Sequence, residues 1–568
     1  MNGAGTTGAA RARRAPLRRP LRVKMISPAK TAPDGRFWRS IKYSLFPPLG
    51  LATLAGYLDP DDEVDLRDEH VEPLDLDDDP DLVVIEAYIT SARRAYRYAD
   101  HYRARGAYVC LGGLHPTSLP GEAAQHADSV FCGPGEDTWP AFLHDFRAGH
   151  PRPLYRSTER TLDGLPPARR DLIKRDRYLV PNSLVVSRGC PHLCDFCYKE
   201  AFFRGGRSFY VQAVDDALAE VDRLPGRHLY FLDDNLFGSP PFAEALFDGL
   251  KGAGRVWQAA GTVDAVLRPG LLEKAVESGL RSLFIGFETL DEVNLAGAGK
   301  TQNLAGAGTA ALSRYDAAVR RLHDLGVMVN AAFVFGMDHD DPSVFARTVE
   351  WAVSRGLETA TFHIMTPYPG TRLEARLAAE GRVTSRDWDL YDTRHAVFTP
   401  AGMSAAELET GYRRAYREFY SWRNIARASF VHGDAREHAR HLAYTAGWKK
   451  LEPMWDRVVR GGHVHRFLPL LETILDRFGS GGGAMPGRLA DARRRDADAR
   501  PETERRDRAG RTARDAHGRV MLQARARMVG LAPARPAASC QANGRASSGA
   551  VAPCFLSSRR HCQLAMKR

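Results

Sequence analysis

Along the chain, short apolar runs alternate with longer stretches in which apolar residues recur at helical spacing. Leu21-Arg-Val-Lys-Met-Ile26, Glu63-Val-Asp-Leu-Arg67, Leu82-Val-Val-Ile-Glu86, Ala107-Tyr-Val-Cys-Leu111 and Ser129-Val-Phe-Cys132 read as strands, with helical periods over 48–58 and 92–105 between them. This alternation predicts a doubly wound, Rossmann-like α/β domain over residues 21–150, in which ligands dock beyond the carboxyl ends of the strands. A second series follows a linker at 151–179. Strands at 183–187, 228–235, 257–262, 282–288, 327–336 and 359–366, with helical stretches such as 211–224 and 314–325, predict a six-stranded partial (β/α) barrel over 180–375. Barrel chemistry belongs at the carboxyl ends of such strands. Residues 376–478 read as mostly helical, with amphipathic stretches at 404–420 and 464–478.

The net charge of +11 changes little, because of where it lies. Residues 1–24 contribute +7 and residues 481–568 contribute +12, leaving the body at −8. The ends, 1–20 and 479–568, are therefore expected to be solvated, disordered basic tails, and no nucleic-acid partner is expected. No secretory signal or bilayer-long apolar run is evident, which points to a reducing cytoplasm. Cys110 and Cys132 stand singly and Cys540, Cys554 and Cys562 lie in the tail, so nothing reads as a disulfide framework.

The remaining cysteines carry the chemistry. Cys190, Cys194 and Cys197 form C-x3-C-x2-C, and three thiolates in so short a loop can converge on one soft metal centre with a fourth position open. The alternative is three buried or zinc-binding cysteines. The run closely resembles the cluster motif of radical S-adenosylmethionine (SAM) enzymes, and the resemblance implies a [4Fe–4S] cluster whose free iron binds SAM. By the same resemblance Tyr198 contacts the adenine, and Asp233, Asp234 and Asn235 receive the SAM amino group. Glu288 contacts its carboxylate or ribose, and Phe335, Gly336 and the Thr366–Thr371 loop border the adenine. An ammonium-bearing ligand does want carboxylates and an adenine a π face, although Asp233 or Asp234 could instead cap the following helix. Gly297-Ala-Gly-Lys-Thr301 resembles the end of a phosphate loop but has Asn294 where glycine is needed, so Lys300 and Thr301 read as loop residues at the barrel mouth.

In the first domain, glycine corners follow successive strands, at Gly112-Gly113-Leu114-His115 and Gly133-Pro134-Gly135-Glu136. With 47–51 and 68–73 they resemble the cobalamin-binding domain that precedes many radical SAM cores. This implies cobalamin held by Thr90, Ser91, Gly112, Gly113, His115, Gly133, Gly135 and Glu136; a degenerate domain that binds nothing is the alternative. Asp68-x-His70-x-x-Pro73 lacks the glycine of the cobalt-ligating motif and follows the second strand, so His70 is expected to be a surface loop histidine. Residues 387–400 resemble a post-barrel segment of the same family, which could supply substrate contacts from Tyr391, Arg394 or His395 or could be a packed connector.

The combined resemblance implies a cobalamin-dependent radical SAM methyltransferase. A 5′-deoxyadenosyl radical would activate a carbon of a small-molecule substrate, methylcobalamin would donate the methyl, and flavodoxin or ferredoxin would donate electrons. The alternatives are a radical cyclase, oxidase or rearrangement enzyme without methyl transfer, and a noncatalytic cobalamin- or metal-binding protein.

Overall fold

The computed structural model describes residues 20–30, 45–304, 311–433, 435–450 and 452–464, with isolated positions up to 473. The basic ends, 1–19 and 479–568, and most of the stretch 464–478 lie outside the described residues.

Two six-stranded parallel sheets organise the fold. The first contains β1 (Arg22–Ser27), β2 (Glu63–Asp68), β3 (Leu82–Glu86), β4 (Tyr108–Gly112), β5 (Ser129–Cys132) and β6 (Leu154–Arg156), in the order β2-β1-β3-β4-β5-β6. Strands such as β3 are apolar on both faces because helices cover both. Leu51, Trp139, Phe142 and Phe146 pack on one side, and Ala95, Ala99 and Tyr102 on the other. Strand order reverses between β1 and β3, which opens a crevice at their carboxyl ends. The sixth strand comes from the segment read as a linker. Only Tyr155 of its three residues is buried, too brief a pattern to register as a strand.

The second sheet runs β7 (Ser183–Leu184), β10 (His228–Phe231), β11 (Val256–Gly261), β12 (Leu280–Glu288), β13 (Met328–Phe335) and β14 (Thr359–Ile364), each parallel to the next. Between β7 and β10 stands an antiparallel hairpin of β8 (Ser187–Gly189) and β9 (Phe209–Val211). The run 183–187, expected as one strand, is thus divided. Val186 N and Ser187 N donate to the Asp233 carboxylate, the former at 3.1 Å, and the chain leaves the sheet there.

The open edge at β14 is covered by the helix Ala405–Phe419 and the tyrosine just past its end. Tyr420 Oη accepts from Ala360 N (3.1 Å) and donates to Ala360 O (2.9 Å), and Tyr416 Oη accepts from Phe362 N (3.1 Å). These hydroxyls satisfy backbone groups that would otherwise template another strand. Downstream of the barrel the chain returns to the first sheet, where Trp388, Tyr391 and Val397 join the core around Ala95 and Tyr102.

Gly189, which ends β8 and precedes Cys190, has φ +77°, and a Cβ there would lie 1.9 Å from Ser208 O. The left-handed conformation alone costs a side chain about 1–2 kcal/mol, and the backbone clash adds to it. Gly189→Ala is expected to lower Tm and to speed proteolytic cleavage between residues 190 and 208, both measured against the parent protein.

Candidate cluster and cofactor site

The cysteine loop is pinned from three directions. Cys190 N donates to Ser208 O (3.1 Å), Asp195 N to Ala298 O (3.0 Å), and Leu373 N to Asp195 O (3.1 Å). The loop therefore hangs between the hairpin, the segment after β12 and the helix Arg372–Ala379. Two of its sulfurs receive amide donors. Asn235 Nδ2 lies 3.6 Å from Cys190 Sγ, and Gln302 Nε2 lies 3.6 Å from Cys194 Sγ. Burial pushes the Cys194 and Cys197 thiols up, while Lys300 and Lys199 respectively pull the other way. Cations and N–H donors around three thiols favour the thiolate forms that a metal requires. Among the described residues Asn235 Oδ1 and Gln302 Oε1 are buried without a partner, so the loop's surroundings hold polar capacity that these residues do not use.

Around this loop the expected SAM-side residues divide in two. Asp234 lines a cavity, where its Oδ1 accepts from Tyr198 Oη (3.1 Å) and stands 3.4 Å from Lys199 Nζ; its Oδ2 accepts from Gly189 N (3.0 Å). Burial and then Asp234 push the Tyr198 hydroxyl well up, so it stays a neutral donor. Asp233, by contrast, is spent internally, accepting from Val186 N, Ser187 N and Ser187 Oγ. It is 3 % exposed and anchors the turn under the cysteine loop, and unlike Asp234 it does not line the cavity.

Glu288 ends β12 with φ +66°, unusual for a residue with a side chain and a form of strain that clusters at functional positions. Its carboxylate accepts from Lys300 Nζ at 2.6 Å, and the pair folds over Gly286, where a Cβ would lie 2.2 Å from Glu288 Oε1. Burial works to lower the Lys300 pKa, but Glu288 and the Cys194 sulfur outweigh it and raise it. Lys300, read as a mouth-loop residue, is thus a buried cation beside the cysteines. Phe335 packs against Phe345 and Phe362, and Gly336 N donates to Asp340 Oδ2 (2.9 Å) at φ +93°.

A cavity of about 500 Å³ joins the carboxyl ends of the two sheets. Thr90, Ser91 and Gly113 face Tyr198 and Asp234 across it. A narrower cleft continues beneath, lined by Gly112, Gly133, Gly135 and Glu136 with the apolar walls Leu54, Phe131 and Trp139. At Gly113 (φ +105°) a Cβ would meet Ala87 O at 2.9 Å, so only glycine holds that corner open. Two histidine expectations change. His115 is fully buried under its loop, bound to Glu122 Oε1 (2.9 Å) and packed on Tyr96 and Trp388, and it does not line the cavity. His70 is no surface loop residue: it lines the cavity wall with its Nδ1 2.9 Å from Asp68 Oδ1.

Several residues at the site escaped the sequence reading. Glu86, the last residue of β3, borders both cavities, and burial pushes its carboxyl up to about 7. Its signal was an acid closing an otherwise apolar strand. Lys30, beyond β1, lines the large cavity and pairs with buried Asp392, which also binds His395 Nδ1 (2.9 Å). Burial works against the Asp392 carboxylate, but His395 and Lys30 hold it below the usual range. Tyr391, an expected substrate contact, is 1 % exposed and donates to Ser385 O (2.8 Å), which makes it a packing residue of the first sheet's core.

Comparison with known proteins agrees with both halves. Residues 184–372 match the radical SAM superfamily, and residues 42–143 match the B12 binding domain. The chain is 30 % identical over 353 residues to bacteriochlorophyllide d C-12(1)-methyltransferase of Chlorobaculum tepidum, covering 60 % of this chain and 75 % of that protein. It is 25 % identical to the same organism's bacteriochlorophyllide d C-8(2)-methyltransferase, covering 66 % and 86 %. In fold it is similar to the cobalamin-dependent S-adenosylmethionine radical enzyme OxsB, with a TM-score of 0.55 at 13 % identity over 83 % of each chain. Among the described residues no helix is long and apolar enough to cross a membrane. The chain belongs to the cobalamin-binding radical SAM enzymes, related to their methyltransferases, which use a [4Fe–4S] cluster, SAM and cobalamin on small substrates and need a reductant.

Proposed function

We propose that this enzyme C-methylates an unactivated carbon of a ring-bearing small metabolite in the cytoplasm, taking electrons from a flavodoxin or ferredoxin. The observation that carries the reading is the cavity shared by the carboxyl ends of both sheets, with Tyr198 and Asp234 on one wall and Ser91 and Gly113 on the other. When bound, the cluster with SAM supplies a 5′-deoxyadenosyl radical and cobalamin supplies the methyl group. The chain's part is to hold, orient and shield. Cys190, Cys194 and Cys197 would ligate the iron, and Asn235 and Gln302 donate N–H to two of the sulfurs. Tyr198 and Asp234 orient SAM from the cavity side, and the Glu288–Lys300 pair offers it one charge of each sign. Asp233 and the Phe335–Gly336 corner shape the walls behind them.

Thr90, Ser91, Gly112 and Gly113, with Gly133, Gly135 and Glu136 along the apolar cleft, would hold the cobalamin. The glycine corners let its large ring system approach the backbone. Two relatives are named for methylation of bacteriochlorophyllide d, which makes a tetrapyrrole the first substrate to try. Enclosure between the two sheets keeps water from a radical that would otherwise be quenched.

Anaerobic reconstitution with iron, sulfide, cobalamin and reductant, followed by mass spectrometry, tests the reading. With bacteriochlorophyllide d or a related tetrapyrrole the protein is expected to form 5′-deoxyadenosine and S-adenosylhomocysteine, and Cys197→Ala is expected to form neither. 5′-Deoxyadenosine without S-adenosylhomocysteine, in the presence of a consumed substrate, would replace methyl transfer with cyclisation or oxidation. Asn235→Ala and Gln302→Ala are each expected to lower the cluster's midpoint potential, read by redox titration, on the order of tens of millivolts. Hydrogen bonds to sulfur favour the reduced, more negative cluster, and each is worth about 1 kcal/mol.

A further inference from the structure

At the opposite, amino-terminal end of the barrel strands, four residues that the proposed chemistry does not use converge. His323 lies in the last turn of the helix Ala311–Asp324, Glu358 immediately precedes β14, His432 follows the helix Trp422–Ser429, and His441 lies in the helix Ala435–Lys449. Ligand atoms of His323, Glu358 and His432 all lie within 4.8 Å of one another. His323 Nε2 is 3.4 Å from Glu358 Oε2, and His432 Nε2 is 3.9 Å from Glu358 Oε1 and 3.0 Å from His441 Nδ1. Glu358 is 4 % exposed and His441 1 %.

The groups are oriented as well as gathered. Val329 N donates to Glu358 Oε2 at 2.9 Å, and His432 also hydrogen-bonds the backbone of Gly356. A second hydrogen bond of this kind fixes the ring and tautomer of metal-binding imidazoles. His441 meets His432 through its Nδ1, and its Nε2 is buried with no partner among the described residues.

We propose that His323, Glu358 and His432 bind one zinc ion, with the adjacent His441 poised to complete its shell, in a structural site that fastens the C-terminal helices to the floor of the barrel. Tetrahedral zinc with bonds near 2.0–2.1 Å sets its ligand atoms about 3.4 Å apart, and His323 and His432 lie 3.4 and 3.9 Å from the two oxygens of the Glu358 carboxylate. Three imidazoles and a carboxylate, with no sulfur, suit zinc among abundant divalent ions, while magnesium and calcium prefer all-oxygen shells. The strand amino ends of such barrels serve stability. The site stands on its own geometry and does not depend on which substrate the enzyme methylates.

The test uses the full chain with its iron–sulfur cluster loaded, so that the cysteine triad cannot take up zinc. After equilibration with zinc and gel filtration, elemental analysis is expected to find one zinc per chain, and zinc-edge X-ray absorption only nitrogen and oxygen neighbours. His432→Gln and His323→Gln are each expected to lose the zinc while keeping the parent's iron content, and zinc is expected to raise Tm in the parent but in neither variant. His323 keeps a partly exposed side chain, so its variant tests the site with the least demand on folding. Absence of zinc from the parent, zinc retained undiminished by the doubly substituted protein, or sulfur in the zinc shell would overturn the proposal and leave the four residues as a histidine–carboxylate ion cluster.

Discussion

A charge pair beside the cysteine loop ties the two sheets together. Arg188, in the hairpin strand just before the first cluster cysteine, bonds Glu136 from the loop after β5. Both groups are largely removed from water, and Glu136 pushes the Arg188 guanidinium further up against the effect of burial. Burying two charges costs several kcal/mol each before their attraction offsets it, so such a pair contributes little net stability. What it supplies is geometry. With this contact made, the cysteine loop and the glycine corners of the first sheet must face the same cavity.

The other inter-sheet contacts follow from that facing. Arg160, in the stretch between the sheets, donates to the carbonyls of Phe203 (2.6 Å), Arg207 (2.7 Å) and Arg204 (3.1 Å), closing the far end of the cysteine loop onto the first domain. Lys30 and Asp392 do the same across the cavity's other side, bringing the post-barrel segment back to the end of β1. A guanidinium with five fixed donors suits the first task, since it can serve three carbonyls at a loop end at once. The stretch that composition suggests is a linker therefore acts as a clasp.

What the sequence disclosed and what it withheld divide along a physical line. Parallel strands buried on both faces advertise themselves as apolar runs, and three cysteines at C-x3-C-x2-C are legible without any knowledge of packing. Polar residues are different, because their role depends on which partner the fold delivers. Asp233 and Asp234 are adjacent and chemically identical, yet one is consumed by the turn at Val186 and Ser187 while the other opens on the cavity. His115 stands beside a glycine corner in sequence but is drawn under its own loop by Glu122. Lys300 read as a loop residue at the barrel mouth because nothing local reveals that Glu288, twelve residues earlier, folds back over Gly286 to meet it.

That last pair bears on how the site manages charge. Lys199 and Lys300 stand beside the cysteine sulfurs, each tied to one carboxylate, Asp234 or Glu288. Before thiolates form, each lysine is balanced by its acid and the enclosure is close to neutral. With three thiolates holding a cluster, the lysines would face negative charge on two sides, and the acids would be free in part to meet a cationic ligand. A buried site that must pass between protein alone, cluster-bound and ligand-bound forms cannot be neutral in all of them with fixed charges. Sharing two cations between carboxylates and sulfurs spreads the imbalance, so no one state leaves a full charge unpaired in a low-dielectric interior.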